Sequence, residues 1–162
     1  MFRILVAFFT LCALIGCDTS VVYEKSTPVN TYGWRMTDSL QYEIDIQDSS
    51  QRYDLSVAIR HRDVYDYTNL YVKIITILPN GEVKSEVVSL PLCDESGKWM
   101  GKCAGDICFS RILILKRTYF PIKGTYRFYI IHEMRQEKLK NILDMSLRLE
   151  KSPPKIYTED EE

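Results

Sequence analysis

A period of two in the apolar residues is the feature that most constrains the fold of this chain. Residues 40–46 and 53–59 place apolar side chains at every second position and mostly polar ones between them. Successive side chains of a β-strand point to opposite faces of a sheet. Each stretch therefore predicts a strand with one buried face and one exposed face.

Further segments have the same strand character. Residues 70–78 are apolar on both faces, which indicates a central strand, and Pro79-Asn80-Gly81 provides a turn into residues 82–90. Three more strands are predicted at 112–116, 125–133 and 145–150, with a short helical turn at 137–143. Short strands with turns about every 8–12 residues predict an all-β fold, an antiparallel β-sandwich. Periodicity leaves its connectivity open between an immunoglobulin-like fold and a jelly roll.

An apolar run near the N-terminus ends at a cysteine. Arg3 supplies a positive charge, residues 4–15 are almost wholly apolar, and Gly16 and Cys17 precede polar sequence. The run is shorter than the roughly 20 residues that a membrane-spanning helix requires. Its order of charge, apolar helix and small residue is that of a secretory signal peptide. Leu14-Ile15-Gly16-Cys17 resembles the bacterial lipobox.

The lipobox resemblance implies that Cys17 carries a diacylglyceryl group, that residues 1–16 are removed, and that the new amino group is acylated. The cysteine thiolate is the nucleophile that this chemistry needs. Each buried methylene of a chain such as palmitate contributes about 0.8 kcal/mol, and two or more chains hold a protein on a bilayer. A plain secretion signal with an unmodified cysteine is the alternative.

The remaining sequence divides into three parts. Residues 17–31 lack a sustained period and include Pro28, which predicts a flexible tether. Residues 32–151 hold the predicted strands and form the β-sandwich domain. Residues 152–162 end in acidic sequence that is typical of a disordered tail.

Charge and motifs limit the classes of function. The chain has 21 Lys and Arg against 22 Asp and Glu, and no basic block, so we expect no nucleic acid partner. His61 and His132 belong to no HExxH motif or nucleophile triad, and no phosphate-binding glycine loop is present. Asp94 and Asp106 are carboxylates in a loop, where such groups are usually solvated. We therefore predict no catalytic residue and no cofactor.

Three cysteines lie in a glycine-rich loop predicted at 92–109. Cys93, Cys103 and Cys108 are expected in an oxidising compartment, where two of them would form a disulfide and leave one thiol. A metal site of three cysteines and a histidine is the alternative, but the spacing gives no CxxC knuckle. We favour the disulfide and predict no metal.

Residues 60–71 are rich in arginine and tyrosine. Arg60, His61, Tyr65 and Tyr67 lie near one predicted loop, and these residue types are enriched at protein interfaces. Tyrosines also form platforms that bind sugar rings. A further alternative is that the rings only cover the edge of the sandwich, since amphipathic rings suit half-buried positions.

Three segments resemble the gliding-motility-associated lipoprotein family GldH. They are LSVAIRHRDVYDYTNLYVKI (55–74), LPLCDESGKWMGKCAGDI (90–107) and GTYRFYIIHEMRQEKLKNILDMSLRLEK (124–151). Asn69, Trp99, Gly101 and Arg135 are among the positions that follow the family's pattern. The resemblance covers nearly the whole mature chain and is supported by the lipobox.

The resemblance implies an outer-membrane lipoprotein that acts with other envelope lipoproteins in gliding and adhesin secretion. We favour the periplasmic face of that membrane over the cell surface. No catalytic residue carries over. Family members also occur in bacteria that do not glide, so a role in secretion or envelope assembly is an alternative. The partner-binding surface that we predict consists of Arg60, His61, Tyr65, Tyr67, Asn69, Trp99 and Arg135.

Two other functions stay open from the sequence. In a carbohydrate-binding envelope lipoprotein, Tyr65, Tyr67 and Trp99 would stack on sugar rings. In an enzyme, His61 or His132 would lie beside a loop carboxylate. We predict a non-enzymatic interaction module rather than either.

Overall fold

The computed structural model describes residues 20–153. The predicted signal peptide with its helix, Cys17, and residues 154–162 of the predicted tail therefore lie outside the described residues. The strands are β1 (Val21–Pro28), β2 (Trp34–Arg35), β3 (Leu40–Ile46), β4 (Tyr53–Arg62), β5 (Asn69–Ile77), β6 (Val83–Pro91), β7 (Lys102–Ala104), β8 (Ile107–Thr118), β9 (Gly124–His132), β10 (Lys138–Leu139) and β11 (Ile142–Lys151). Residues 20–153 include no candidate for a membrane-spanning helix.

Two antiparallel sheets form a sandwich, which confirms the predicted all-β class. The first sheet has the order β1-β11-β4-β8-β7 and the second has the order β3-β9-β5-β6. A separate two-stranded ribbon pairs β10 with β2. Strand β5 is flanked on both sides, by β9 and β6, as its apolar sequence predicts for a central strand.

The connectivity is that of a jelly roll. The eight long strands pair in a nested way, because β1 pairs with β11, β3 with β9, β4 with β8 and β5 with β6. The chain thus resembles one long hairpin that is folded over on itself. Of the two connectivities that periodicity left open, the jelly roll is correct.

Alternation of side chains supplies the core. In β3 the residues Leu40, Tyr42, Ile44 and Ile46 are buried and the residues between them are exposed. The hydroxyl of Tyr42 donates a hydrogen bond to the carbonyl oxygen of Met145 at 2.8 Å, which joins the two sheets. Burial raises the pKa of Tyr42 to about 12, so the phenol stays a donor at neutral pH.

The predicted tether is wrong for most of its length. Residues Val21–Pro28 form β1, whose register on β11 runs from Val21 opposite Glu150 to Pro28 opposite Asp144. The strand lies at the edge of its sheet and most of its residues are exposed or half-buried. An edge strand therefore needs little apolar alternation, which is why the period-two pattern did not reveal it.

The helical turn predicted at 137–143 is also wrong. Leu139 ends β10, opposite Trp34 of β2, and Ile142 begins β11. Between them Asn141 has a φ of 66°. This left-handed conformation interrupts a right-handed helix, and asparagine tolerates it better than most residues.

The sandwich has two ends that carry different connections. Ser20 lies at one end, where its carbonyl accepts a hydrogen bond from the Lys151 amide at 2.8 Å. We call this the Ser20 end, and it includes the connections 47–52, 78–82 and 119–123. The opposite far end includes the connections 29–39, 63–68, 92–106 and 133–141.

Both histidines are buried, so we expect the domain to lose stability in mild acid. Burial lowers the pKa of His61 and of His132 below the usual value. As pH falls below about 6.5, the unfolded chain binds protons that the folded chain does not, and the free energy of unfolding decreases. Urea unfolding between pH 8 and pH 5 measures this. A flat free energy of unfolding across that range would contradict the prediction, and a His61→Asn, His132→Asn double variant should flatten the slope.

Candidate functional site

Four of the predicted site residues meet at the far end. Strand β4 carries His61, the connection 63–68 carries Tyr65 and Tyr67, and the connection after β6 carries Trp99. The ring of His61 lies 4.5 Å from Trp99 and 5.8 Å from Tyr65, measured between ring centroids. Tyr65 lies 5.5 Å from Tyr67. We call His61, Tyr65, Tyr67 and Trp99 the far-end aromatic cluster.

Burial divides this cluster into a support and a surface. His61 is fully buried and Tyr65 is 5% exposed, so neither side chain can offer a partner a contact area. Tyr67 and Trp99 are half-buried and pack on the core. His61 and Tyr65 were predicted to contact a partner, but their burial gives them a structural role instead. Burial is also the main reason why the pKa of Tyr65 is raised.

The ring of His61 makes its hydrogen bond with a backbone carbonyl and not with a carboxylate. Its Nδ1 lies 2.8 Å from the carbonyl oxygen of Arg62, while its Nε2 has no hydrogen-bond partner among the described residues. Burial is the largest cause of the lowered pKa of His61, so its ring is neutral at pH 7. A neutral ring suits the space between Trp99 and Tyr65.

The loop carboxylates have structural partners of their own. Oδ1 of Asp94 accepts hydrogen bonds from the amides of Ser96 at 2.9 Å and Lys98 at 3.0 Å, which shape the turn before Trp99. The hydrogen bond from the Ser96 hydroxyl is the largest cause of the lowered pKa of Asp94. Asp106 forms an ion pair with Arg62. Each carboxylate thus stabilises the loop that contains it.

The two predicted arginines and Asn69 lie outside the aromatic cluster. Nε of Arg60 donates to Oδ2 of the buried Asp144 at 2.6 Å, on the outer face of the first sheet. Arg135 is exposed in the connection between β9 and β10. Asn69 is half-buried at the start of β5, where its side-chain amide lies 3.3 Å from the Ser89 hydroxyl. The structure therefore brings together only part of the predicted surface.

The cysteines form one disulfide. Cys103 of β7 and Cys108 of β8 face each other in the register and are joined by an S–S bond. Cys93 keeps a half-buried free thiol whose pKa is raised mainly by burial. Residues 20–153 contain no group of three or more His, Cys, Asp or Glu side chains that could hold a metal ion.

The aromatic rings do not form a flat platform. The planes of Tyr65 and Tyr67 meet at 64°, and those of His61 and Trp99 meet at 58°. A sugar ring stacks on an exposed aromatic face, whereas here the rings are tilted against one another and Tyr65 is 5% exposed. The geometry of Tyr65, Tyr67 and Trp99 therefore does not match the stacking arrangement that a carbohydrate site would require.

Exposed apolar side chains at the far end were not identified from the sequence. They are Tyr32 (79% exposed), Met36 (42%), Val64 (63%) and Met100 (63%), and we call them the far-end apolar rim. Single exposed apolar residues are normal and a contiguous patch marks an interaction site, and these four residues lie in connections of the same end. No periodic signal could reveal them, because they lie in connections and not in strands.

A cavity adjoins this rim. Its volume is about 470 Å³, and it is lined by Tyr32, Arg62, Lys140, Asn141 and Ile142, among others. Two of these five side chains are cationic. The far end therefore combines a concave surface with exposed apolar contacts, which are features of a binding surface.

Gly101 fixes the approach of the Trp99 loop to β8. A β-carbon at this position would overlap the hydroxyl oxygen of Ser110 and the carbonyl oxygen of Phe109. We expect Gly101→Ala to lower the free energy of unfolding by about 3 kcal/mol, because the loop must move away. Gly105→Ala is the matched control, since open space surrounds its β-carbon and only about 1–2 kcal/mol of backbone strain at its φ of 60° applies. Urea unfolding followed by tryptophan fluorescence distinguishes the two, and equal losses would contradict this role.

Comparisons with known proteins identify the family of this chain. A family model described as GldH lipoprotein matches residues 21–149. The chain is 28% identical over 158 residues to a gliding motility lipoprotein GldH homolog of Christiangramia forsetii, covering 93% of this chain and 96% of that protein. It is 25% identical over 144 residues to the gliding motility lipoprotein GldH of Flavobacterium johnsoniae, covering 85% and 89%.

Among solved structures, a chain of infectious bursal disease virus, Gx strain, aligns with a TM-score of 0.36 and 10% identity, over 78% of this chain and 29% of its own length. The family model covers the chain from the start of β1 to Leu149 near the end of β11, and it includes the far-end aromatic cluster. The chain belongs to the GldH lipoprotein family.

Proposed function

We propose that this protein is an outer-membrane lipoprotein without enzymatic activity that serves as an interaction component of the gliding-motility and adhesin-secretion machinery. Cys17 carries the acyl chains, and the far end contacts other envelope lipoproteins or motility proteins. The periplasmic face of the outer membrane is the side on which we place the domain. The observation that carries the proposal is the position of Ser20 at the end opposite the far-end loops.

The distance between anchor and domain is short. Three peptide units separate Cys17 from Ser20, so the two α-carbons lie at most about 10 Å apart. The chain continues from Ser20 directly into β1, which is paired with β11. Acyl chains on Cys17 would therefore hold the Ser20 end close to the bilayer.

The same geometry presents the far end to partners. Strand β4 has 10 residues and spans ~30 Å at 3.3 Å per residue. Its last residues lead into the aromatic cluster and the connection that carries Val64. The apolar rim would then face away from the anchoring membrane. Proteins confined to one membrane meet at a raised effective concentration, so weak contacts are sufficient.

Local chemistry supports a role in binding and not in catalysis. Both histidines, His61 and His132, lie buried at the far end with pKa values lowered by burial, and the carboxylates of Asp94 and Asp106 stabilise their own loops. Neither of the two cavities of about 470 Å³ in the described part of the chain is lined by a histidine. Exposed apolar and half-buried aromatic residues, in contrast, are typical of protein interfaces.

Lipidation is tested by labelling. Cells that are fed labelled palmitate should incorporate the label into this protein and retain the protein in the outer-membrane fraction. Cys17→Ser should abolish both the label and the retention, because the acyl chains supply the anchor. Cys93→Ser is the matched control, since it removes a half-buried free thiol of the 92–106 connection and should leave the label unchanged. An unlabelled wild-type protein that is released in soluble form would contradict the anchor.

The partner surface is tested with two valine variants of similar exposure. Val64 of the apolar rim is 63% exposed, and Val87 on the outer face of the second sheet is 56% exposed. We expect Val64→Asp to reduce crosslinking to envelope proteins in intact cells and to impair motility or adhesin secretion at least fivefold. Val87→Asp should have little effect on either. Equal effects of the two variants, at equal protein levels, would show that the far end is not the contact surface.

A further inference from the structure

The two long sides of the sandwich are closed to different degrees. On the side of β1 and β3, Nζ of Lys25 donates to the carbonyl oxygen of Gln41 at 3.3 Å and lies 5.9 Å from the centroid of the Tyr42 ring. These contacts bridge the two sheets. On the side of β8 and β6, the sheets instead enclose a groove of about 470 Å³.

This side groove is mainly apolar. Its walls include Ile114 and Leu115 of β8 and Val88 of β6, and deeper in the sandwich it reaches Leu55 and Phe128. Leu115 is 39% exposed, although its partner in the register, Leu55, is a core residue. The apolar side chains of Ile114 and Leu115 are thus partly exposed at the edge of the core, in a cavity as large as many binding sites.

The backbone beside this groove has an unpaired edge. Strand β7 pairs with β8 only from Ile107 to Phe109, and in residues 20–153 no other strand pairs with the β8 edge beyond that point. In an antiparallel strand, every second residue directs its N–H and C=O to the same side. Residues 110–113, whose register on β4 is regular, therefore present hydrogen-bonding groups beside an apolar groove, and the register shifts on either side of Leu115.

The edges of β8 and β6 differ in how they are protected. Strand β6 directs the charged side chains of Lys84 and Glu86 into the groove, and inward-pointing charges discourage the addition of a strand. Strand β8 carries Ile112 and Ile114 at the corresponding inner positions, and both are only half-buried. Of the two edges, β8 is the one without such protection.

Only one kind of ligand satisfies both the edge and the groove. A hydrocarbon chain could fill the apolar groove, but it would leave the N–H and C=O groups of β8 without partners. An extended polypeptide pairs with the edge, and its alternate side chains point into the groove. The exposed Lys116 follows Leu115 on the same strand and favours acidic residues at the solvent-facing positions of that polypeptide.

We infer that β8 accepts an extended segment of another protein as an added strand, in which apolar side chains fill the side groove and acidic ones alternate with them. This binding site is separate from the far-end surface, because the groove reaches the 119–123 connection at the Ser20 end. It gives the domain a second contact close to the anchoring membrane. The recognised chemistry is a short segment of alternating apolar and acidic residues.

A fused strand tests this inference at high effective concentration. The protein is the chain from Asp18 to Glu162, which retains every described strand, followed by a Gly-Ser linker and the segment Val-Glu-Val-Glu-Val-Glu-Val. Amide hydrogen exchange of residues 110–116 is measured by NMR. We expect alternate amides of β8 to exchange at least tenfold more slowly than in the unfused chain, because the added strand pairs with them.

Matched controls separate insertion from non-specific contact. In the fused segment, Ser in place of each Val keeps the charge and removes the apolar side chains, and protection should be lost. Leu115→Lys places a charge in the groove and should also abolish protection. Leu113→Lys makes the same change at a residue of β8 that is 48% exposed and faces Ser56 on the outer side of the sheet, so protection should remain. Absent protection in the valine fusion, or protection that survives Leu115→Lys, would overturn the inference.

Two further measurements would identify other occupants of the groove. If the β8 amides are already protected in the unfused chain and lose protection when it ends at Pro153, the chain's own C-terminal segment covers the edge. If palmitate shifts the resonances of Ile74 and Leu115 while the fused strand leaves β8 unprotected, the groove is an acyl-chain site. Either result would overturn the inference. Val64→Asp should not affect protection, so failure of this site and failure of the far-end surface can be distinguished.

Discussion

Burial of alternate side chains between two sheets is the constraint on which the rest of this structure depends. Apolar area removed from water stabilises a fold by roughly 25 cal/mol per Å², and β3 and β4 supply side chains such as Ile44 and Leu55 that are almost completely buried. The nested pairing then places β1 beside β11 and the N-terminus at the Ser20 end. The direction in which an anchored domain presents its loops follows from this pairing.

The sequence could predict the strands that bury one face, but not those whose stability comes from pairing at an edge. Strand β3 alternates strictly between buried and exposed residues, whereas in β4 the predicted exposed face is wrong at Ser56 and Ala58, which are also buried. Both strands were predicted at nearly their observed bounds. Strand β1 was predicted as a tether, because its backbone hydrogen bonds to β11 leave no periodic trace in its side chains. The ribbon of β2 and β10 was missed for a similar reason, since each strand has only two residues.

The candidate site shows the same limit at the level of single residues. A change of one position along β4 takes the chain from the exposed Arg60 to the buried His61, since neighbouring side chains point to opposite faces. Because the segment is rich in arginine and tyrosine, both residues were predicted to lie in one contact surface. In the strand, however, their side chains lie on opposite faces of the sheet. Tyr65 and Trp99 did come together with His61, and what they form is largely a support for the loops. The exposed Val64 lies in one of those loops.

The sandwich is bridged on the side of β1 and β3 but leaves the side groove open between β8 and β6. This open groove affects how a membrane-anchored domain can meet other proteins. A jelly roll that served only as a spacer would gain stability by covering the side groove, because Leu115 and the half-buried Ile114 remain accessible to water. Exposed apolar edges also favour aggregation, so an uncovered one carries a cost. Acyl chains on Cys17, as proposed, would hold this groove close to the bilayer, because it reaches the 119–123 connection at the Ser20 end. A groove near the Ser20 end would then be open to segments that extend along the membrane, while the far end would be open to partners above it.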